Sequence, residues 1–413
     1  MSLIVQKFGG TSVGDPERIR NVARRVVATK QAGHEVAVVV SAMSGETNQL
    51  VALAKELGGQ TPSPREYDVL VSTGEQKTIA LLVMAIHQLG HEARSFTGAQ
   101  IGLRTDGDHT RARILSIDAD RIRSAISAGE VPVIAGFQGT DDEGNITTLG
   151  RGGTDTSAVA IACALEADAC EIYTDVDGVF TTDPNMVPAA RKLDRISYEE
   201  MLEMASLGAK VLQIRSVKFA MADGIPIHVR SSFNEGEGTW VVREEDVMER
   251  LVVSGVTYNR SEAKVRVLGV KDNPGVAAAL FGPLSRAGVV VDMIIQNMSQ
   301  DGTTDMTFTV PREDYERAME LMKDHAASVG AERVEGDQEI AKVSVVGLGM
   351  KDHAGVAAQM FEVLAAEGIN IQLITTSEIK ISVVIEEKYT ELAVRTLHAA
   401  FVEAGAAEPV AEV

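Results

Sequence analysis

Three glycine-rich segments carry the residue types that could handle an anion. In the first, Lys7-Phe8-Gly9-Gly10-Thr11-Ser12 follows an apolar run and precedes a helical pattern that begins near Asp15. Glycines at a strand-to-helix turn let backbone N–H groups approach a phosphate closely, and Lys7 adds a point charge beside them. The segment is neither G-x-G-x-x-G nor G-x-x-x-x-G-K-[ST], so dinucleotide and P-loop readings lose support. His-Arg-Asp and Asp-Phe-Gly do not occur, which removes the protein-kinase reading. In the second, Gly150-Arg151-Gly152-Gly153-Thr154-Asp155 precedes an apolar helical pattern from Ala158 to Leu165. Thr154 or Asp155 is expected to cap that helix, and Arg151 offers a fork suited to a carboxylate. The third runs from Ile172 through Thr174, Asp175, Asp177 and Gly178 to Asp183-Pro184. It reads as a buried strand entering a polar turn, the place where open α/β sheets bind ligands. Each segment also has a plainer reading: Gly-Gly, Asp-Gly and Asp-Pro are turn formers, and a lone cation such as Lys210 is solvated by default.

The elements that would position these loops alternate along the first 240 residues. Leu3 to Val5, Val36 to Val40, Val131 to Phe137, Cys170 to Thr174 and Ile225 to Val229 are short Val- and Ile-rich runs of buried parallel strands. Between the first two, Asp15 suits a helix N-cap, Pro16 the first helical position and Gly33 the helix end. Ser197 with Glu200 forms a capping box ahead of Met201, Leu202 and Ala205, with Met201 and Met204 on the core face. Together these predict a doubly wound α/β/α sandwich with ligands at the carboxyl ends of its strands.

After about residue 250 the sequence repeats. Asp272, Gly275, Val276, Ala277, Ala278, Phe281, Leu284 and Gly288 recur 80 residues later as Asp352, Gly355, Val356, Ala357, Ala358, Phe361, Leu364 and Gly368. Each copy reads strand, tight turn, helix, strand, strand, helix, a βαββαβ unit. The glycines and dense charge of Glu235 to Arg250, including the solvated run Glu244, Glu245 and Asp246, mark the boundary region.

The 59 acidic residues outweigh 39 basic ones to give a formal charge of −20, a field that repels nucleic acid and anionic membranes. No apolar run exceeds that of Ile79 to Ile86, which is far shorter than the ~20 residues of a bilayer span and reads as a buried helix. Apolar residues at the amino terminus stop at Val5, so no signal-peptide core is expected and the cytoplasm is the expected setting. Cys163 and Cys170 lack Cys-x-x-Cys spacing and read as buried thiols, and the eight histidines show no paired ligand spacing, so no resident metal is expected.

Read together and in order, KFGGTS, SAMSGETNQL from Ser41, STGE from Ser72, TLGRGGTDTSA from Thr148 and YTDVDGVFTTDP from Tyr173 resemble the motifs of the aspartate kinase family of the amino acid kinase superfamily. The carboxyl-terminal repeat is similar to the family's tandem ACT regulatory domains. The resemblance implies a kinase domain over 1–240, a first ACT domain over 264–335, and a second formed by 250–263 with 340–405. It implies transfer of the ATP γ-phosphoryl group to the side-chain carboxylate of L-aspartate, the committed step toward lysine, threonine and methionine. Lys7 and Asp155 match the catalytic pair. Ser41, Thr47, Glu75 and Arg151 match the aspartate-holding positions, with Glu75 on the ammonium and Arg151 on the α-carboxylate. Lys7, Phe8, Gly9, Gly10, Tyr173, Thr174, Asp175, Phe180, Asp183, Pro184 and Lys210 match the nucleotide site. Mg²⁺ is expected to be held mainly by the nucleotide. One departure is Asn185, where family members often have a basic residue after Thr-Asp-Pro.

For the ACT pair the resemblance implies feedback by lysine and/or threonine. Asp272, Asn273, Pro274, Gly275, Asp292, Met293, Ile294, Gln296, Asn370, Ile371 and Gln372 would line effector pockets, and assembly into a homo-oligomer would run through the ACT domains. The second ACT unit would borrow Leu251 to Thr257 as a strand, and Met248 is a candidate start for a separately translated regulatory chain. A kinase of acetylglutamate or glutamate is the rival, disfavoured by the tandem repeat and by Glu75. A sensor with a vestigial kinase half is a second rival, disfavoured by the presence of Lys7, Arg151 and Asp155.

Overall fold

Alternating apolar runs and helical patterns need a sheet with helices on both faces, and the first unit has that form. The structure is a computed structural model that describes residues 2–209, 211–247, 252–298 and 302–404. It divides into two units, one of Met1–Phe180, Lys192–Ser206 and Lys210–Glu249, the other of Thr181–Arg191, Leu207–Ala209 and Arg250–Val413.

The first unit is built on an eight-stranded sheet. Its order is Arg195–Ser197, Thr239–Val242, Ile227–Ser231, Ala169–Thr174, Leu3–Phe8, Glu35–Val40, Val131–Ala135 and Ala93–Phe96. All neighbours are parallel except Ile227–Ser231 with Thr239–Val242. The helix Pro16–Gln31 starts as its sequence requires: Asp15 accepts from the Arg18 N–H, Pro16 opens the first turn, and Gly33 lies just past the end at φ +92°. Its face of Ile19, Val22, Ala23 and Val26 packs with Val38, Val40, Leu82 and Ile86 into one apolar core. The capping box forms, the Glu200 N–H donating to Ser197 Oγ at 3.1 Å and the Ser197 N–H to Glu200 Oε2 at 3.3 Å.

One expectation needs revision and another is extended. The strand at Val131 ends at Ala135 because Phe137 sits at φ +69°, which breaks the extended run. Residues 138–140 then join a small four-stranded sheet with Ile146–Thr148, Arg104–Thr105 and Ile114–Ser116 that the periodicity did not disclose. The run from Ile79 to Ile86 belongs to a longer helical stretch, 64–88, which by length and composition alone matches a bilayer span. It is interrupted at Ser72, and Leu82 and Ile86 are fully buried in the core.

The second unit holds two four-stranded antiparallel sheets. Glu262–Lys271, Val276–Arg286, Ile294–Met298, Thr303–Pro311, Tyr315–Ala326 and Arg333–Asp337 give the first βαββαβ fold, with sheet order Ile294–Met298, Thr303–Pro311, Glu262–Lys271, Arg333–Asp337. In the second, Gly255–Asn259 pairs antiparallel with Ile340–Val346, so a strand preceding the first copy completes the sheet of the second. Leu251 lies outside the described residues, as do Met248 and the chain beyond 404. The boundary is more tangled than a cut at 240: Thr181–Arg191, from within the kinase-like sequence, packs in the second unit, where Val187 joins Val253, Val343, Leu397 and Phe401.

Candidate active site

Parallel pairing places the carboxyl ends of neighbouring strands together, which decides where the glycine loops meet. Lys7 is opposite Val39 on one side and Ile172 on the other. The Gly9 N–H donates to the Tyr173 carbonyl at 3.3 Å, and Gly10 begins a short 3₁₀ turn. A Cβ on Gly10 would lie 2.9 Å from the Ala42 carbonyl, so glycine here lets two strand-end loops close on one another. The Lys7 ammonium lies 2.6 Å from Asp155 Oδ1, with both side chains nearly buried.

Asp155 stands in the first turn of the helix Gly153–Leu165. The cap falls on Gly152 at φ +72° without a side-chain bond, so neither Thr154 nor Asp155 caps the helix as expected. The glycine turn starts the helix early enough to carry both residues inside it. Asp155 then faces Lys7 from the positive end of the helix dipole, a position that favours a carboxylate.

One pocket of about 330 Å³ is lined by Lys7, Gly10, Ser41, Thr47, Glu75, Arg151 and Asp155. Lys7 and Arg151 therefore share a cavity in a chain of strongly negative charge. Glu75 is 3 % exposed, in the first turn of the helix Thr73–Gln88. Its Oε1 accepts from the Ala42 N–H at 3.0 Å, while Oε2 is buried with no hydrogen-bond partner. Burial pushes its carboxyl up to about 7, against the opposing pull of backbone N–H donors. Arg151 is exposed at the rim. Ser44, Gly45 and Phe137 also line the pocket without having been singled out. The first two lie inside the SAMSGETNQL segment, where Gly45 at φ +81° precedes the helix Glu46–Gly58 and was the available signal.

The expected nucleotide residues fare unevenly. Phe8 and Tyr173 stack on each other at 4.6 Å with 0 % and 1 % exposure, and the Tyr173 hydroxyl donates to Glu171. Their side chains are core, because their alternation along adjacent strands points both rings into the apolar layer. Thr174 ends its strand and exposed Asp175 follows it, where the Thr174 hydroxyl donates to Asp175 and its carbonyl accepts from the Ser232 N–H. Phe180 is half-buried and bridges to Lys192. Asp183 and exposed Pro184 belong to the second unit, where Asp183 accepts from the Tyr258 hydroxyl at 3.2 Å and from the Asn185 N–H and amide. Lys210 lies outside the described residues. Among the described residues no cluster of three metal-ligating side chains occurs.

The expected effector residues split within the second unit. The turn Asp272 to Gly275 is exposed, with Gly275 at φ +95° opening its helix. Met293 instead packs with Ile340, Val384 and Leu373 in a seam between the two sheets, so its side chain is core and not pocket lining. At that seam the buried Lys342 ammonium pairs with Asp292 and lies 2.5 Å from Glu262, and Lys264 donates to Gln372. Ile294 and Gln296 are exposed on an edge strand, Asn370 is exposed, and Ile371 is partly buried against the second core. The second copy of the turn differs: Leu348–Asp352 forms a 3₁₀ turn before Gly355 at φ +108°.

The sequence profile of the amino acid kinase family matches residues 2–231, and that of the ACT domain matches 265–325 and 343–401. An aspartate kinase of Pseudomonas fluorescens is 60 % identical over 403 residues, 97 % of this chain and 98 % of that one. A crystal structure of Escherichia coli aspartokinase III in complex with aspartate and ADP, described as the R-state, superposes with TM-score 0.83 at 27 % identity, covering 96 % of this chain and 99 % of the other. The same enzyme in complex with lysine and aspartate, described as the T-state, gives 0.77 at 27 % identity, covering 97 % and 99 %.

Proposed function

The chain belongs to the aspartate kinases of the amino acid kinase family, phosphotransferases that use ATP, and from that footing we propose how its pocket divides the work. Arg151 takes the α-carboxylate of L-aspartate and Glu75 its ammonium, with Ser41 and Thr47 alongside. The side-chain carboxylate, ionised at neutral pH because its pKa is ~4, attacks the γ-phosphorus of ATP without a general base. The bond from that phosphorus to the bridging oxygen breaks, ADP leaves, and 4-phospho-L-aspartate forms. What must be overcome is repulsion between two anions held in line. Lys7 supplies the charge on the transferred group, Gly10 presents a backbone donor while the Gly9 N–H stays on the Tyr173 carbonyl, and Asp155 holds the Lys7 ammonium in place. Mg²⁺ would be held mainly by the nucleotide and would add positive charge against its phosphates. Thr174, Asp175, Phe180 and Lys210 serve the nucleotide.

One observation carries this reading: two cations and a buried carboxylate oxygen without a partner share one cavity. A hydroxamate assay with ATP, Mg²⁺ and L-aspartate tests it, and turnover with glutamate or acetylglutamate but none with aspartate would overturn it. Regulation by lysine, threonine or both acts through the ACT pair, as the lysine complex of the E. coli enzyme encourages. Effector would bind one of two arrangements more tightly, with ACT pairing between subunits of a homo-oligomer as the bistable element. A titration of activity against lysine, threonine, methionine and their mixtures identifies the effector. We place the reaction in the cytoplasm, early in the supply of these amino acids. Western blotting for a short product beginning at Met248 tests the separate regulatory chain.

A further inference from the structure

We propose that Asp68 is a positioning residue for aspartate binding, acting through the loop that carries Arg151; this rests on the assignment of Arg151 and Glu75 to the substrate. Asp68 lies on the helix Pro64–Val71 and is fully buried, outside the pocket. Its carboxylate accepts from the Thr148 hydroxyl at 2.6 Å and the Thr148 N–H at 3.1 Å. It also accepts from the Thr110 N–H at 3.0 and 3.1 Å and contacts His109 Nδ1 at 2.8 Å. The donors come from segments 41 to 80 residues away in sequence. A buried carboxylate stripped of such donors is costly, so the two segments are held to it.

What those segments support is the pocket rim. Thr110 sits at φ +70°, a left-handed conformation that a threonine keeps only when its surroundings impose it. Its carbonyl would lie 2.9 Å from a Cβ on Gly150, so its backbone rests directly against the turn preceding Arg151. The Ala112 N–H donates to the Thr148 carbonyl at 2.9 Å. From the other side Arg215 donates to the carbonyls of Leu149 at 2.8 Å and Ala112 at 3.0 Å. Downstream of Leu149 come Gly150, Arg151, Gly152 and Gly153, a stretch with positive φ at 150 and 152 and little stiffness of its own. The last firmly bonded residues before it, Thr148 and Leu149, therefore set where the Arg151 guanidinium can reach. Asp68 also sits seven residues before Glu75 on the same helical stretch, 64–88. One corner of the fold thus fixes the spacing between the group for the ammonium and the group for the α-carboxylate.

The test is a double-mutant cycle on the full chain, with KM read separately for aspartate and ATP. Asp68→Asn keeps the shape but turns one acceptor into a donor facing N–H groups. The aspartate KM should rise about tenfold or more, while the KM for ATP stays within about twofold and Arg151→Ala alone raises the aspartate KM strongly. In the Arg151→Ala background, Asp68→Asn should add little, because the group it positions is gone. Thr148→Val should raise the same KM, with Thr148→Ser restoring it, so the test does not depend on one variant folding. Equal rises in both KM values, or full additivity with Arg151→Ala, would assign Asp68 a purely structural role and overturn the inference. An unchanged aspartate KM in Arg151→Ala would overturn the substrate assignment itself, and this inference with it.

Discussion

Glu75 should make aspartate binding depend on pH near neutrality. Its carboxyl, buried with one oxygen unpartnered, is raised to about 7 in the free pocket. An arriving ammonium favours the ionised form, so binding below pH 7 must expel a proton. At pH 6 about nine-tenths of free Glu75 is protonated, which predicts an aspartate affinity roughly tenfold weaker at pH 6 than at pH 8. Neither the ammonium nor the carboxylates of aspartate titrate in that window. Calorimetry in two buffers of different ionisation enthalpy should find about half a proton released per aspartate at pH 7 and close to one at pH 6. Glu75→Gln should bind weakly at every pH and release none. The stability sign follows from the same shift. A carboxyl whose folded pKa lies above its unfolded value stabilises the fold below about pH 4.5, and that contribution is lost as pH rises through about 7. Glu75→Gln should therefore stabilise the free protein at pH 8 by up to about 3 kcal/mol. A flat aspartate affinity from pH 6 to 8, or the same slope in Glu75→Gln, would refute the reasoning.

Lys7→Ala should slow the phosphoryl-transfer step by about 100- to 1,000-fold, measured by single turnover, without changing effector binding; an unaltered rate would remove its assigned role. Gly10→Ala should force a Cβ against the Ala42 carbonyl and shift the Lys7 loop, and since displacements of ~1 Å can cost about 100-fold, kcat/KM should fall steeply. Normal kcat/KM would show that the loops close with room to spare. His398 is fully buried, bonded to Thr181 Oγ1 at 2.8 Å and Glu403 at 3.1 Å, so His398→Ala should cost ~2 to 4 kcal/mol in thermal unfolding; an unchanged Tm would contradict that. Ending the chain at residue 247 should yield poorly soluble protein and not simply an uninhibited enzyme, because Thr181–Arg191 loses its core around Val187. Recovery of a soluble fragment with cooperative unfolding would show that segment to be dispensable.

The sequence by itself determined what is local. The Asp15 cap and the Ser197–Glu200 box each lie within one turn, where residue type goes far to fix the geometry, and the repeat at 80 residues is read by matching residue types alone. Lys7, Arg151 and Asp155 were named from short motifs at strand and helix ends and Glu75 from the family resemblance, and the structure lines one pocket with all four. Burial and long-range pairing belonged to the tertiary structure. Alternation along adjacent strands sent the Phe8 and Tyr173 rings into the core, and the seam between two sheets absorbed Met293. Desolvation raised Glu75 toward neutrality, Asp68 drew in donors from two distant segments, and Thr181–Arg191 left its sequence neighbours for the other unit. Each of these depends on what lies across space from a side chain, and a linear pattern records only what lies beside it.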